Sequence, residues 1–228
     1  MPWAPVLVVQ HDVSCPPGLV SEWARDAGAT LDVRRCHEGV ILPASLVGFS
    51  GLVVLGGEMG AYSDAIHPWL TAVKDLVIQA VLASLPTLGI CLGHQLAAAA
   101  LGGRVSTNPK GRSRAVLPVS LLPTASDDPV FGGLPPTARL LHWNSDIVSV
   151  VPGGASVLAY DARGDVQIVR FGERSWGIQG HPEADHAIAS GWGRNELLAL
   201  PGNGLPGSFP PGTALPGTAL PGTALPGT

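Results

Sequence analysis

Four short apolar runs, separated by stretches of helical periodicity, constrain this chain more than any other feature. "VLVVQ" (6–10), "TLDVRRC" (30–36), "GLVVLGG" (51–57) and "TLGIC" (87–91) have the length and β-branched content of buried strands. Between them, residues 18–29 carry Leu19, Trp23 and Ala27 at helical spacing. Residues 68–85 form a longer apolar stretch, with His67-Pro68 at its start and Pro86 beyond its end. "LGHQLAAAALG" (92–102) follows the fourth run. Strand and helix in strict alternation imply parallel strands under right-handed crossovers, with helices on both faces. From Arg104 the texture changes to short alternating runs: "AVLPVSLL", "ARLLHW", "ASVLAY", "VQIVRFG" and "SWGIQG". The expected fold class is α/β: a three-layer, flavodoxin-like, mostly parallel sheet flanked by helices, with an antiparallel extension in the second half. Residues 1–200 are expected to form this one domain.

Composition excludes several classes of function. Hydrophobic residues make up 46% of the 228, charged residues 13%, and the net charge is −4. Such a chain can fill a core, and it offers no basic patch for nucleic acid. No apolar run reaches the roughly 18 residues of a membrane span. "MPWAPVLVVQ" lacks the basic start and cleavage pattern of a signal peptide. The three cysteines, Cys15, Cys36 and Cys91, are far apart and form no C-x-x-C pair. The expectation is a cytoplasmic protein without a disulfide framework or zinc site.

Gly-Ile-Cys-Leu-Gly (89–93) places a thiol between two glycines where a strand becomes a helix. The spacing is that of a nucleophile elbow with Cys in place of Ser. Glycines two residues to either side let neighbouring backbone pass close by. The helix beginning near Leu92 points unpaired N–H groups and a positive dipole end at the sulfur, which favours the thiolate. The Leu92 N–H is also placed to stabilise an oxyanion. A buried cysteine acting as a small hydrophobe is the alternative reading of these five residues.

Such a nucleophile needs a base, and the base needs a carboxylate to orient it. "QGHPEAD" (179–185) offers both in His181 and Glu183, with Pro182 between them excluding a regular helix. A metal site through His181, Glu183 and His186 would want an H-E-x-x-H helix, which the proline opposes. No metal or cofactor is expected. His11, His37, His67 and His142 fall at expected strand or helix ends, where loop polarity or capping accounts for them. His94 is expected to pack locally. Trp3, Trp23, Trp69 and Trp176 read as core or interface side chains.

Gly89-Ile-Cys-Leu-Gly-His-Gln95 together with His181-Pro-Glu183 resembles the class I glutamine amidotransferase domain, over about residues 5–195. Within that family the motif set is most similar to stand-alone relatives of the glutaminase half of GMP synthase. The resemblance implies a Cys91–His181–Glu183 triad that hydrolyses the glutamine side-chain amide through a γ-glutamyl thioester. It also implies an oxyanion hole from Gly57 and Leu92, a substrate contact from Gln95, and a "HWNSD" loop whose Trp143, Asn144 and Ser145 hold the amino-acid end of glutamine. Ammonia would pass to a separate synthase partner.

The chain departs from the family pattern in three places. Gly180 stands where an aromatic usually precedes His-Pro-Glu, and Asn144 stands where relatives often have His. The final helix would contain Gly191 and Gly193. A glycine at 180 is expected to leave a gap that loosens the His181 turn; the competing reading is that local repacking has already filled the gap, so that an aromatic there would overpack. Two other functions stay open: hydrolysis of γ-glutamyl peptides or amides by the same triad, and a catalytically weakened binding module.

From Leu200 the chain reads "LPGNGLPGSFPPGTALPGTALPGTALPGT", with "PGTAL" recurring every five residues. That period excludes a Gly-X-Y triple helix, and the composition buries too little apolar surface to offset chain entropy. Residues 201–228 are therefore expected to form a disordered tail. Truncation after Leu200 is expected to leave the melting temperature unchanged in a thermal scan; a drop of several degrees would show that the repeat packs on the domain.

Overall fold

Alternate residues of each central strand point to opposite faces of a sheet, and this period of two builds two separate cores. The computed structural model describes residues 4–193. In β1 (Val6–Gln10) and β3 (Gly51–Val54), Leu7, Val9, Leu52 and Val54 face α2 (Trp69–Leu82) and α3 (Leu92–Ala100). Val8 and Val53 face the other side with Ile90 of β4 (Thr87–Ile90) and Val20 of α1 (Leu19–Asp26). Helix, sheet and helix thus make three layers.

The main sheet has nine strands in the order β2-β1-β3-β4-β11-β10-β9-β6-β7. β2 (Leu31–Arg35), β1, β3, β4 and β11 (Ser175–Ile178) are mutually parallel. Their order is that of a flavodoxin-like sheet. β10 (Val166–Gly172), β9 (Ser156–Asp161), β6 (Ser113–Leu121) and β7 (Thr137–Asn144) continue it antiparallel. β5 (Arg104–Thr107) and β8 (Asp146–Val150) form a small antiparallel sheet of their own. A short helix, α4 (His186–Trp192), packs Ala189 against Val116 and Leu141. No helix among the described residues is long and apolar enough to cross a membrane.

The structure corrects the sequence expectation in several details. "SWGIQG" joins the two halves of the sheet: β11 pairs antiparallel with β10, as an extension strand would, and parallel with β4 on its other side. That partner lies almost ninety residues back along the chain, so no local pattern announces it. The β5–β8 ribbon was not expected, because β5 is four residues long and buries only Val105. In α1 the buried side chain is Val20, whereas Trp23 keeps 38% of its surface exposed. α4 contains Gly191 and ends at Trp192, so Gly193 lies beyond it. His11 follows the end of β1 as expected, whereas His142 lies within β7; both are fully buried rather than polar surface residues, and burial pushes them down to about 3 and about 4. Trp3 and the repeat expected from residue 201 lie outside the described residues.

Helix α3 sits so close to β3 that a Cβ on Gly93 would overlap the Val54 carbonyl. Alanine normally gains about 1 kcal/mol over glycine within a helix, but here overpacking of roughly 1–3 kcal/mol opposes it. Gly93→Ala is therefore expected to lower the melting temperature by several degrees; an equal or higher value would contradict this close approach.

Candidate active site

In a parallel sheet the carboxyl ends of the strands share one edge, and the loops leaving them converge there. The loops after β1, β3, β4 and β11 supply Cys15, Gly56–Gly57, Cys91 and His181. They surround a cavity of about 370 Å³.

Cys91 forms the sharp turn between β4 and α3. Its backbone has φ 51° and ψ −103°, and Ser84 is the only other non-glycine described residue with positive φ. Such a backbone costs on the order of 1–3 kcal/mol and persists only where its surroundings enforce it. Here they do: the Cys91 N–H donates to the Ile178 carbonyl at 2.8 Å, and its carbonyl accepts from the Gln95 N–H at 3.1 Å. The flanking glycines act through space. A Cβ on Gly89 would stand 2.6 Å from the Gly93 carbonyl oxygen.

His181 and Glu183 leave a turn directly after β11. The His181 N–H donates to the Leu141 carbonyl at 2.7 Å, and the Glu183 carbonyl accepts from the Leu19 N–H at 2.9 Å. One end of the turn is thereby tied to β7 and the other to α1. Both side chains are buried, with His181 Nδ1 2.8 Å from Glu183 Oε1. Burial opposes a charged imidazole, but the Glu183 carboxylate, the Cys91 sulfur and hydrogen bonds to both outweigh it, so His181 is pushed up to about 10. The imidazole edge and the thiol share the space over Gly56. A Cβ there would lie 3.1 Å from His181 Cε1 and 3.7 Å from Cys91 Cβ.

Of the other residues singled out from sequence, Leu92 opens α3, so its N–H has no acceptor within the helix. Gly57 adjoins it: a Cβ on Gly57 would be 3.1 Å from Leu92 Cδ2. Gln95, Trp143, Asn144 and Ser145 all line the cavity. Several of their polar groups already have partners. Gln95 Nε2 donates to the Asp146 carbonyl (2.9 Å) and to Gln179 Oε1 (3.2 Å). Asn144 Nδ2 donates to the same Asp146 carbonyl at 3.0 Å. The Ser145 carbonyl accepts from the Asn108 N–H at 2.9 Å.

The expected gap at Gly180 is absent. A Cβ there would stand 2.9 Å from Leu140 Cβ and 3.1 Å from the Leu141 carbonyl oxygen, because β7 already fills the place of the missing aromatic. His94, buried in α3, packs on Phe171 with ring centroids 5.6 Å apart. His181, Glu183 and His186 do not converge; among the described residues, no group of three or more potential metal ligands does.

Sequence reasoning missed two side chains at the centre. Gln179 is fully buried and donates through Nε2 to Cys91 Sγ at 3.7 Å. Its place two residues before His181 was a usable signal. Trp192 lies over the His181 imidazole, with centroids 4.5 Å apart, and its Nε1–H donates to the Ser14 carbonyl at 2.7 Å. Nothing in the local sequence marks it.

The glutamine amidotransferase class-I family profile matches residues 20–197. The chain belongs to the class I glutamine amidotransferase family. Among relatives of this chain, a glutamine-hydrolyzing GMP synthase subunit of Halobacterium salinarum is 33% identical over 145 residues, which is 63% of this chain and 72% of that protein. Gamma-glutamyl peptidase 4 of Arabidopsis thaliana is 30% identical over 142 residues, or 61% and 56% of the two chains. A crystal structure of a glutamine amidotransferase from Methylobacillus flagellatus superposes with a TM-score of 0.76 at 27% identity, covering 83% of this chain and 74% of the other.

The three thiols sit in unlike surroundings. Burial pushes Cys15 up to about 12 and Cys36 up to about 11, so both stay protonated near pH 8. Cys91 alone faces a cationic imidazole at a helix N-terminus. Brief alkylation of the native protein with iodoacetamide at pH 8 is expected to modify Cys91 and spare the other two, as read by peptide mass spectrometry. Comparable labelling of Cys15 would contradict this ordering.

Proposed function

We propose that this amidotransferase hydrolyses the side-chain amide of glutamine through a γ-glutamyl thioester on Cys91. The observation that carries the reading is the buried His181–Glu183 pair, 2.8 Å apart, set against the Cys91 sulfur at a positive-φ elbow. Cys91 acts as nucleophile, His181 as base and acid, and Glu183 as the group that orients and stabilises the imidazolium. The sulfur attacks the amide carbon, and the N–H groups of Gly57 and Leu92 receive the developing oxyanion. His181 gives its proton to the departing ammonia. It then takes one from water, which cleaves the thioester to glutamate. Glu58 and Asp146, both lining the cavity, suit the α-ammonium of the substrate.

The likeness to a GMP synthase subunit supports delivery of the ammonia to a separate synthase partner. Residues 1–200 would form the catalytic unit, and a reducing cytoplasm would keep the thiols free, as all three are in this structure. The likeness to a gamma-glutamyl peptidase supports a second reading, in which the same triad opens larger γ-glutamyl amides. One wall of the cavity, lined by Trp143, Trp192, Arg112 and Arg114, favours it.

The test is ammonia release from glutamine, with acid-quenched intact mass to detect the thioester. Cys91→Ala is expected to lower turnover by at least about 10³-fold. The alkaline limb of kcat/KM is expected where His181 loses its proton, near its value of about 10. The Glu183 charge helps hold that proton, so Glu183→Gln should move the limb to lower pH. An unmoved limb, or the absence of any γ-glutamyl adduct on Cys91, would overturn the assignment.

A further inference from the structure

The cavity has two unlike walls. One follows the Gly56–Gly57 turn and carries Glu58 and Asp146; a Cβ on Gly60 would lie 4.0 Å from Asp146 Oδ2, so loop and carboxylate adjoin. The other leads away from His181 as an unbroken stack. The Trp192 indole lies 4.5 Å from the imidazole, Trp143 lies 6.0 Å from Trp192, and the Arg114 guanidinium lies 4.9 Å over Trp143. Arg112 precedes Arg114 by two residues and lines the same cavity, while Ser113 between them is buried. Alternation along an extended chain puts both arginines on one side. Arg112 makes no ion pair with any described residue. The stack is held from behind: Trp192 Nε1–H donates to the Ser14 carbonyl, and α4 packs on Val116 and Leu141.

The direction of proton transfer gives this wall its meaning. In the thioester reading, on which this inference rests, His181 hands its proton to the leaving nitrogen. The leaving amine therefore departs on the His181 side, along the indoles and guanidinium groups. Ammonia has no carbon surface to lay on an indole and no negative charge for an arginine. A primary amine that carries a carboxylate has both.

We infer that the stack Trp192–Trp143–Arg114 with Arg112 is a leaving-group subsite, and that the substrates it selects are γ-glutamyl amides of amino acids or short peptides. The carboxylate of the leaving amino acid pairs with Arg112, and its carbon atoms lie on Trp143 and Trp192. The γ-glutamyl ammonium group lies toward Glu58 and Asp146. The chemistry balances as a hydrolysis. A C–S bond forms as the amide C–N bond breaks, and the Cys91 proton reaches the departing nitrogen through His181. Water then forms a C–O bond as the C–S bond breaks, releasing glutamate and the free amino acid.

The experiment compares two ligands that differ chiefly in the carboxylate, γ-glutamylglycine and γ-glutamylmethylamide. Their dissociation constants are measured by calorimetry on Cys91→Ala, which cannot form the thioester, and their kcat/KM on the wild type. The γ-glutamylglycine complex is expected to be tighter by about tenfold or more, the gain typical of a hydrogen-bonded charge pair. Arg112→Gln in the Cys91→Ala background should bring that ratio toward one. A ratio near one before the substitution, or equal weakening of both ligands by Arg112→Gln, would overturn the subsite. The second outcome would place Arg112 on the γ-glutamyl carboxylate instead. If the binding ratio holds and neither compound is turned over, the subsite stands and the thioester reading falls.

Discussion

The parallel pairing of β11 with β4 is the contact on which the site depends. Ile178 lies opposite Ile90, and the Ile178 carbonyl accepts the Cys91 N–H at 2.8 Å. That single register brings the residue after β4 and the turn after β11 to one edge of the sheet. A shift of one residue would reverse the faces of the β11 side chains and carry the imidazole away from the sulfur. The His181 turn is then fixed at both ends, by the Leu141 carbonyl of β7 and by the Leu19 N–H of α1. β7 is the last strand in the sheet order, yet it returns over the end of β11. The antiparallel half of the domain thus supports the His181–Glu183 turn as well as extending the sheet.

Close approach of backbone explains most of the glycines around the sulfur. Gly93 lets α3 touch the end of β3, Gly89 lets β4 touch the first turn of α3, and Gly56 leaves room for the thiol and imidazole together. Gly177 does the same on β11, where a Cβ would run into His94 and Phe171. His94 accordingly lies flat against the sheet. Burial pushes it down to about 3, so it is a neutral packing group beside a charged site. His181 differs because a carboxylate and a sulfur meet it in the same buried space. Two histidines with similar burial thus reach opposite protonation states through their neighbours.

The parallel half of the sheet was legible because each strand and its following helix form a local unit, with periods of two and 3.6 readable within a dozen residues. The Cys91 elbow and the His181-Pro-Glu183 turn were legible for the same reason: the chemistry of each is written within seven residues. Gly180 shows where such reading stops. Its neighbours in sequence suggested an empty place, but Leu140, forty residues earlier, fills it. The β5–β8 ribbon, the burial of His142 and the burial of Val20 in place of Trp23 escaped for a related reason. Each depends on what another segment covers.

The sequence by itself determined the α/β class, the order of strands and helices through α3, and the residue types that could serve as nucleophile, base and orienting acid. Those properties follow from local periodicity, glycine placement and the spacing of reactive side chains. Only the tertiary structure decided that β11 lies beside β4, that Gln179 reaches the sulfur, and that Trp192 covers the imidazole. It also decided that Arg112 and Arg114 share a cavity with Cys91. The physical reason is that hydrogen-bonded strand partners, ring contacts and cavity walls join residues from eleven to 178 positions apart, and such pairings leave no periodic trace in either partner.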